Sequence, residues 1–102
     1  MNIEDLIGKI KGKKIKWRGH ASKRILERNI TREDTIESIL HGEIIEEYPD
    51  DFPFPSCLVL GYTEDGMPLH IVCSIGQDNL WIVTVYRPDP NKWGNNFNMR
   101  KG

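Results

Sequence analysis

The hydrophobic pattern of the chain changes from a helical period to a strand period close to Gly42. Before this point apolar residues recur three or four positions apart, as in Ile3, Leu6 and Ile10, which is the spacing of one face of an α-helix. After it come short apolar and β-branched runs separated by turn residues. Helices followed by a run of strands predict an α+β fold, with N-terminal helices packed on one face of a small antiparallel β-sheet.

The helical part predicts three helices. Residues 2–11 form the first, and residues 20–42 contain two more, joined near Asn29. Thr31 is a predicted N-cap, with Asp34 three residues later as its capping-box partner. The third helix is therefore predicted to begin just after Thr31.

The remaining segments predict strands connected by turns and one irregular loop. Asp65 and Gly66 form a hairpin turn signal. The loop at residues 49–56 contains three prolines, which prevent regular structure, and it displays Phe52 and Phe54. The predicted strands are residues 13–17, 43–48, 57–63, 68–75 and 80–86.

With 102 residues, the chain is expected to form one domain, residues 1–102. It has no apolar run near the roughly 20 residues of a membrane helix, and residues 1–5 do not start a signal peptide. We therefore expect a cytoplasmic protein without membrane contact.

Cys57 and Cys73 lie in apolar runs and form no C-x-x-C pair, so they are predicted to be buried reduced thiols.

The net charge of −1 conceals a strong segregation of charge along the chain. Residues 1–32 contain ten lysines and arginines and three acids, and residues 33–66 contain ten acids and no lysine or arginine. The basic third could contact a polyanion such as RNA. Alternatively, the basic and acidic thirds neutralise each other in the fold.

His20, Arg24 and Arg28 are spaced four residues apart in the second predicted helix, so they lie on one helix face. Two guanidiniums beside an imidazole could bind a phosphate and move a proton, because His titrates near neutral pH. The alternative is a solvated face with ion pairs.

Several other residues are candidates. His70 lies between apolar strand residues and is either a satisfied core residue or a proton-transfer group. Tyr86 ends the last strand, where its side chain could point into a cleft, and Trp93 could stack on a base or fill a gap in the core. Further candidates for RNA contact are Lys23, Arg87 and Arg100.

There is no Gly-rich phosphate loop, G-x-S-x-G or H-E-x-x-H motif, so no cofactor and no metal site is predicted.

Three stretches carry a family resemblance. They read HASKRILERNITREDTIESILHGEIIEEYPDDFPFPSCLVLG, PLHIVCSI and IVTVYRPDPNKW, followed by Arg100. Together they resemble the bacterial domain-of-unknown-function 4258 (DUF4258) family from about His20 to Arg100. The most specific parts are the His20-Ala21 pair, the Arg24 and Arg28 helix, Gly42, the Tyr48-Pro49 loop, Pro68-Leu69-His70 and Thr84-Val85-Tyr86.

That family is similar to the ribonuclease toxins of the RelE and BrnT type. The resemblance implies a toxin of a toxin–antitoxin pair, with a small antitoxin protein as partner and RNA as substrate of a metal-independent endoribonuclease. His20 would transfer a proton, Arg24 and Arg28 would bind the scissile phosphate, and Tyr86 or His70 would be the second proton-transfer group. The pI of about 6.3 is lower than is usual in RelE-like toxins. The alternative is a non-enzymatic protein-binding module or an inactive relative of such toxins, which would bind a protein through the 49–56 loop or the basic helix.

Overall fold

Five strands form one mixed sheet in the order β1-β5-β4-β3-β2, and three helices precede or interrupt them in the chain. The computed structural model describes residues 1–102. The helices are α1 (Ile3–Lys11), α2 (Gly19–Glu27) and α3 (Arg32–Leu40). The strands are β1 (Ile15–Trp17), β2 (Glu43–Tyr48), β3 (Ser56–Tyr62), β4 (Pro68–Gly76) and β5 (Asn79–Tyr86). No helix combines the length and the apolar character needed to span a membrane.

The predicted α+β fold is confirmed, with one addition to its topology. Strands β2 to β5 pair antiparallel in chain order. β1 joins the sheet parallel to β5, with Ile15 opposite Leu80 and Trp17 opposite Ile82. Two helices and three strands separate β1 from β5 in the chain, and a connection of this length permits parallel pairing.

The helix starts show why these segments are helical. Asn2 and Asp5 form a capping box at α1, and Thr31 and Asp34 form the predicted one at α3. Each box satisfies two backbone N–H groups that have no partner inside the helix. α2 differs, because Arg18 at its N-cap makes no side-chain cap.

The main core lies between the helices and one face of the sheet. Leu6, Ile25 and Ile39 from the helices are buried in one cluster with residues from β3, β4 and β5. Cys57 and Cys73 are cross-strand partners in this cluster, and both are free and fully buried, as predicted. The cluster also contains Ala21, Ile30, Val59, Leu69, Ile71, Leu80, Ile82 and Val85.

α3 packs directly on β3 at a glycine. A Cβ atom at Gly61 would lie 2.1 Å from the carbonyl oxygen of Ser38, far inside van der Waals contact. Only a glycine therefore allows the helix to approach the strand this closely.

Candidate functional site

The sheet has a second face that no helix covers, which we call the helix-free face. Successive residues of a strand point to opposite faces of the sheet. Because Cys57, Val59 and Ile71 point into the helix-side core, their neighbours point to the helix-free face. This face is formed by Lys16, Glu46, Tyr48, Ser56, Leu58, Leu60, His70, Val72, Ser74, Trp81, Thr84 and Tyr86.

At one end of this face the C-terminal segment packs on His70. The His70 side chain is fully buried. Its Nε2 atom lies 2.8 Å from the carbonyl oxygen of Phe97 and its Nδ1 atom lies 3.2 Å from the Tyr86 hydroxyl. A carbonyl only accepts, so Nε2 carries the proton and donates, while Nδ1 accepts from Tyr86. The ring of Trp93 contacts the imidazole edge-to-face at a centroid distance of 4.4 Å.

Burial favours the neutral form of both members of this pair. It lowers the pKa of His70, so the imidazole is neutral. It also raises the pKa of Tyr86, so the phenol is neutral. His70 therefore acts as a hydrogen-bonded structural residue in this conformation, and the half-buried Tyr86 is the member that still reaches solvent.

Arg100 completes this group, which we call the tail cluster (His70, Tyr86, Trp93, Phe97, Arg100, Glu46 and Tyr48). The Arg100 guanidinium lies 4.7 Å from the centre of the Trp93 ring and donates two hydrogen bonds to Glu46. These bonds lower the pKa of Glu46. Burial, followed by the hydrogen bond that its hydroxyl donates to Glu46, raises the pKa of Tyr48 to about 12.

A cavity of about 240 Å³ opens toward the other end of the helix-free face, and we call it the loop cavity. Arg18 and His20 border it at the start of α2, and the loop between β2 and β3 forms the opposite wall. Its lining residues are Arg18, His20, Asp51, Phe52, Pro53, Phe54, Ser56, Ser74 and Val83. It therefore combines a cation, an imidazole, a carboxylate, two hydroxyls and aromatic rings.

Arg18 is the least satisfied residue of this cavity. Its Nε atom is buried and has no hydrogen-bond partner. The guanidinium lies 5.2 Å from the centre of the Trp81 ring, a cation–π contact that orients it. A buried donor without a partner costs about 1–3 kcal/mol, and no carboxylate forms an ion pair with this guanidinium.

The start of α2 adds to the positive character of the cavity. No acidic residue lies in the first turn of α2, and no side chain caps it. The first N–H groups of a helix have no partner within it and carry partial positive charge. Together with Arg18, this helix end makes the α2 wall of the loop cavity suited to an anion, whereas the opposite wall carries the Asp51 carboxylate.

The basic third of the chain is partly neutralised within the fold. Lys9 and Lys14 both form ion pairs with Asp78. Hydrogen bonds from Lys14 and Lys9 lower the pKa of Asp78 to about 2. Arg32 instead lies 4.9 Å from the centre of the Trp17 ring. Among the basic side chains, Lys16 remains exposed on the helix-free face.

Comparison with family models gives one match, to the domain of unknown function DUF4258, over residues 17–87. The chain belongs to the DUF4258 family. Comparisons with curated proteins and with solved structures gave no match. No group of three or more His, Cys, Asp or Glu side chains is placed to bind a metal ion.

The DUF4258 match covers both walls of the loop cavity and the sheet part of the tail cluster. Arg18, His20, His70 and Tyr86 lie within the matched residues. Trp93 and Arg100 lie beyond its end at residue 87. The contacts of the C-terminal segment with the sheet therefore join matched residues to residues outside the match.

The structure brings some of the predicted site residues together and separates others. His70, Tyr86, Trp93 and Arg100 meet in the tail cluster. His20 is separate from this cluster and lines the loop cavity.

The other predicted residues lie away from the loop cavity. Arg24 is exposed and pairs with Glu27 at 3.7 Å. Arg28 is the C-cap of α2 and donates from Nη1 to the carbonyl oxygen of Val85 at 2.5 Å. Arg87 donates to the carbonyl oxygen of Arg28 at 2.7 Å. The predicted stripe therefore does not form one pocket, and Lys23 is a further exposed charge on α2.

Sequence reasoning missed Arg18, Trp81 and Lys16. Lys16 and Trp81 are opposite each other in the β1–β5 pairing, and Arg18 packs on Trp81. The alternation of residues 13–17 indicated a strand, but nothing in the sequence identified β5 as its neighbour. That pairing is what places these three residues on one surface.

Proposed function

We propose that this DUF4258 protein is an endoribonuclease whose helix-free face binds single-stranded RNA and whose loop cavity is the cleavage site. The observation that carries this proposal is the Arg18 guanidinium, which has no carboxylate partner and lines the same cavity as His20. A guanidinium without a carboxylate partner is suited to a phosphate, and an adjacent imidazole is suited to proton transfer at neutral pH.

The reaction uses the 2′-hydroxyl of RNA and needs no metal ion. His20 accepts the proton of the 2′-hydroxyl as its oxygen attacks the adjacent phosphorus. The P–O5′ bond breaks, the leaving 5′-oxygen takes a proton from water, and a 2′,3′-cyclic phosphate forms. Arg18 stabilises the negative charge that grows on the phosphate oxygens during this step.

The solvent-accessible part of the helix-free face beside the loop cavity would bind the flanking nucleotides. Trp81 and Tyr86 are half-buried aromatic residues on this face, and aromatic rings bind bases by stacking. Lys16 adds an exposed cation next to Trp81. Tyr86 follows the cavity residue Val83 by three positions, about 10 Å along a strand, so Tyr86 would contact a neighbouring nucleotide.

The biological role we propose is that of a toxin in a bacterial toxin–antitoxin pair. It rests on the resemblance of the DUF4258 segments to the RelE and BrnT type of ribonuclease toxin. A small antitoxin protein would then bind the chain and block the helix-free face. The protein would act in the cytoplasm, where its RNA substrate is found.

Expression of the chain alone in a bacterial host tests this role. We expect growth arrest and degraded RNA with the wild-type chain, and normal growth with Arg18→Ala or His20→Ala. Arg24→Ala is the matched control, because Arg24 is an exposed arginine of the same region outside the cavity. Equal growth of all four strains at equal protein levels would contradict the proposal.

A non-enzymatic protein-binding module is the second candidate function. Its support is the exposure of two large apolar side chains, Phe52 at 95% and Leu26 at 82%, since exposed apolar residues often mark protein contacts. This candidate predicts that Phe52→Ala and Leu26→Ala abolish binding to a partner protein, while Arg18→Ala and His20→Ala have no effect in any assay.

A further inference from the structure

The loop between β2 and β3 is fixed at both of its ends. Phe54 packs against the backbone of Gly76, where a Cβ atom would lie 2.4 Å from the Phe54 ring. Ser56 Oγ donates a hydrogen bond to the Asp51 carboxylate, and Asp51 N donates to the carbonyl oxygen of Tyr48 at 3.2 Å. The loop therefore presents its remaining groups in a defined orientation.

Phe52 is the residue that this fixed loop presents to solvent. Its side chain is 95% exposed although it lines the loop cavity. Burying a phenylalanine side chain stabilises a fold by about 1.5–3 kcal/mol, and Phe52 does not contribute this free energy. Packing in the core is therefore not the reason for its position. A planar apolar face at the mouth of a polar cavity is the arrangement used to stack a nucleobase.

Asp51 supplies a second element of base recognition. Its Oδ2 accepts from Ser56, which orients the carboxylate and leaves Oδ1 and one lone pair of Oδ2 available. A carboxylate in this state accepts hydrogen bonds and cannot donate them. Guanine alone among the four RNA bases presents two adjacent N–H donors, N1–H and N2–H, on one edge.

From these contacts we propose that the loop cavity is a guanine-nucleotide subsite for single-stranded RNA. The base stacks on Phe52, its N1–H and N2–H groups donate to Asp51, and the 3′-phosphate contacts Arg18. The cavity has a volume of about 240 Å³ and is open to solvent on the side of Phe52, so in this arrangement the base lies at its mouth and the phosphate lies inside. This inference deepens the proposed ribonuclease function and would direct cleavage to the 3′ side of guanine.

A protein partner explains these groups less completely. An apolar segment packed on Phe52 would bury the loop cavity while the Arg18 guanidinium remained without an anionic partner. A nucleotide satisfies the arginine, the carboxylate and the aromatic ring together.

The test is a titration of the ¹⁵N-labelled full chain with guanosine, adenosine, cytidine and uridine 3′-monophosphates, followed by NMR. We expect saturable shifts at residues 18–20 and 51–54, with guanosine 3′-monophosphate bound about tenfold or more tightly than the others. Asp51→Asn should remove this preference, since an amide offers only one acceptor oxygen. Phe52→Ala should weaken the binding of all four nucleotides, and its exposure means that it should leave the fold intact.

Asp50→Asn is the matched control, because Asp50 is the neighbouring exposed carboxylate and does not line the cavity. Equal affinity for the four nucleotides, no binding of any of them, or a preference that survives Asp51→Asn would each overturn the inference. These results are independent of cleavage. Selective binding of the guanosine nucleotide by a chain that cuts no RNA would support the subsite and refute the ribonuclease proposal.

Discussion

Arg100 and Glu46 form a two-point ion pair, with Nε 2.8 Å from Oε2 and Nη2 3.0 Å from Oε1. The pair connects the C-terminal segment to β2 across the helix-free face. Arg100 also covers Trp93, which in turn packs on His70. The position of the last 15 residues on the sheet therefore depends on a contact between Glu46, inside the DUF4258 match, and Arg100, outside it.

Replacing this arginine should loosen the C-terminal segment. Because the Arg100 side chain is 62% exposed, we expect Arg100→Ala to lower the free energy of unfolding by only about 1 kcal/mol or less. Trp93, now 4% exposed, should become more accessible to a fluorescence quencher such as acrylamide. Lys101→Ala is the control, and equal quenching in all three proteins would contradict this role of the pair.

His70 should make stability depend on pH in a defined window. Burial lowers its pKa in the folded chain below the ordinary value near 6.5, so the unfolded chain binds the proton first. Stability is then complete above about pH 6.5 and falls as the pH decreases toward the folded-state pKa. Measuring the unfolding temperature between pH 7.5 and 5.5 checks this.

The variant His70→Gln should lose this part of the pH dependence. At pH 7.5 it should also be less stable than the wild type by about 1–3 kcal/mol, because the Tyr86 hydroxyl and the Phe97 carbonyl lose their imidazole partner, and this difference should shrink as the pH falls. His41→Gln is the control, since His41 is exposed. A wild-type slope that His70→Gln leaves unchanged would refute this assignment.

Two arginines of the same helix should contribute differently to stability. Arg28 donates to the Val85 carbonyl and is half-buried, so Arg28→Ala should cost about 1 kcal/mol or more. Arg24 has only an exposed pair with Glu27, so Arg24→Ala should cost about 0.5 kcal/mol or less. Urea denaturation of both variants measures the difference, and equal costs would contradict the separate placements.

Binding of RNA should depend on β1 as well as on the loop cavity. Lys16→Ala should weaken binding of a single-stranded RNA and reduce the salt dependence by less than one counterion, about 0.7 in the slope of log K against log salt. Lys11→Ala, an exposed lysine of α1, should leave both quantities unchanged. Fluorescence anisotropy at several salt concentrations gives the slopes. Identical slopes for the two variants would contradict a contact between RNA and Lys16.

Local patterns in the sequence predicted most of the elements. The predicted strand at residues 43–48 has the bounds of β2, and Thr31 and Asp34 form the predicted capping box. These features depend on neighbours within a few residues, which the sequence displays directly. The apolar and β-branched runs likewise gave β3, β4 and β5 to within a residue or two.

Long-range pairings were not predictable in the same way. The parallel register of Lys16 with Trp81 joins segments 65 positions apart, and no local pattern selects it. The spacing of His20, Arg24 and Arg28 gave a common helix face, but the end of α2 at Glu27 turns Arg28 toward the edge of β5. Arg18 was missed because no sequence pattern shows that its buried Nε atom has no hydrogen-bond partner.

The most direct test of the account is cleavage of a defined single-stranded RNA by the purified chain in the presence of EDTA, with analysis of the product ends. We expect 2′,3′-cyclic phosphate ends and a rate that falls by about 10²-fold or more in Arg18→Ala and His20→Ala, while Arg24→Ala cleaves like the wild type. A wild-type chain that leaves the RNA intact, or three variants that all cleave at the wild-type rate, would contradict the central claim that the loop cavity is a ribonuclease site.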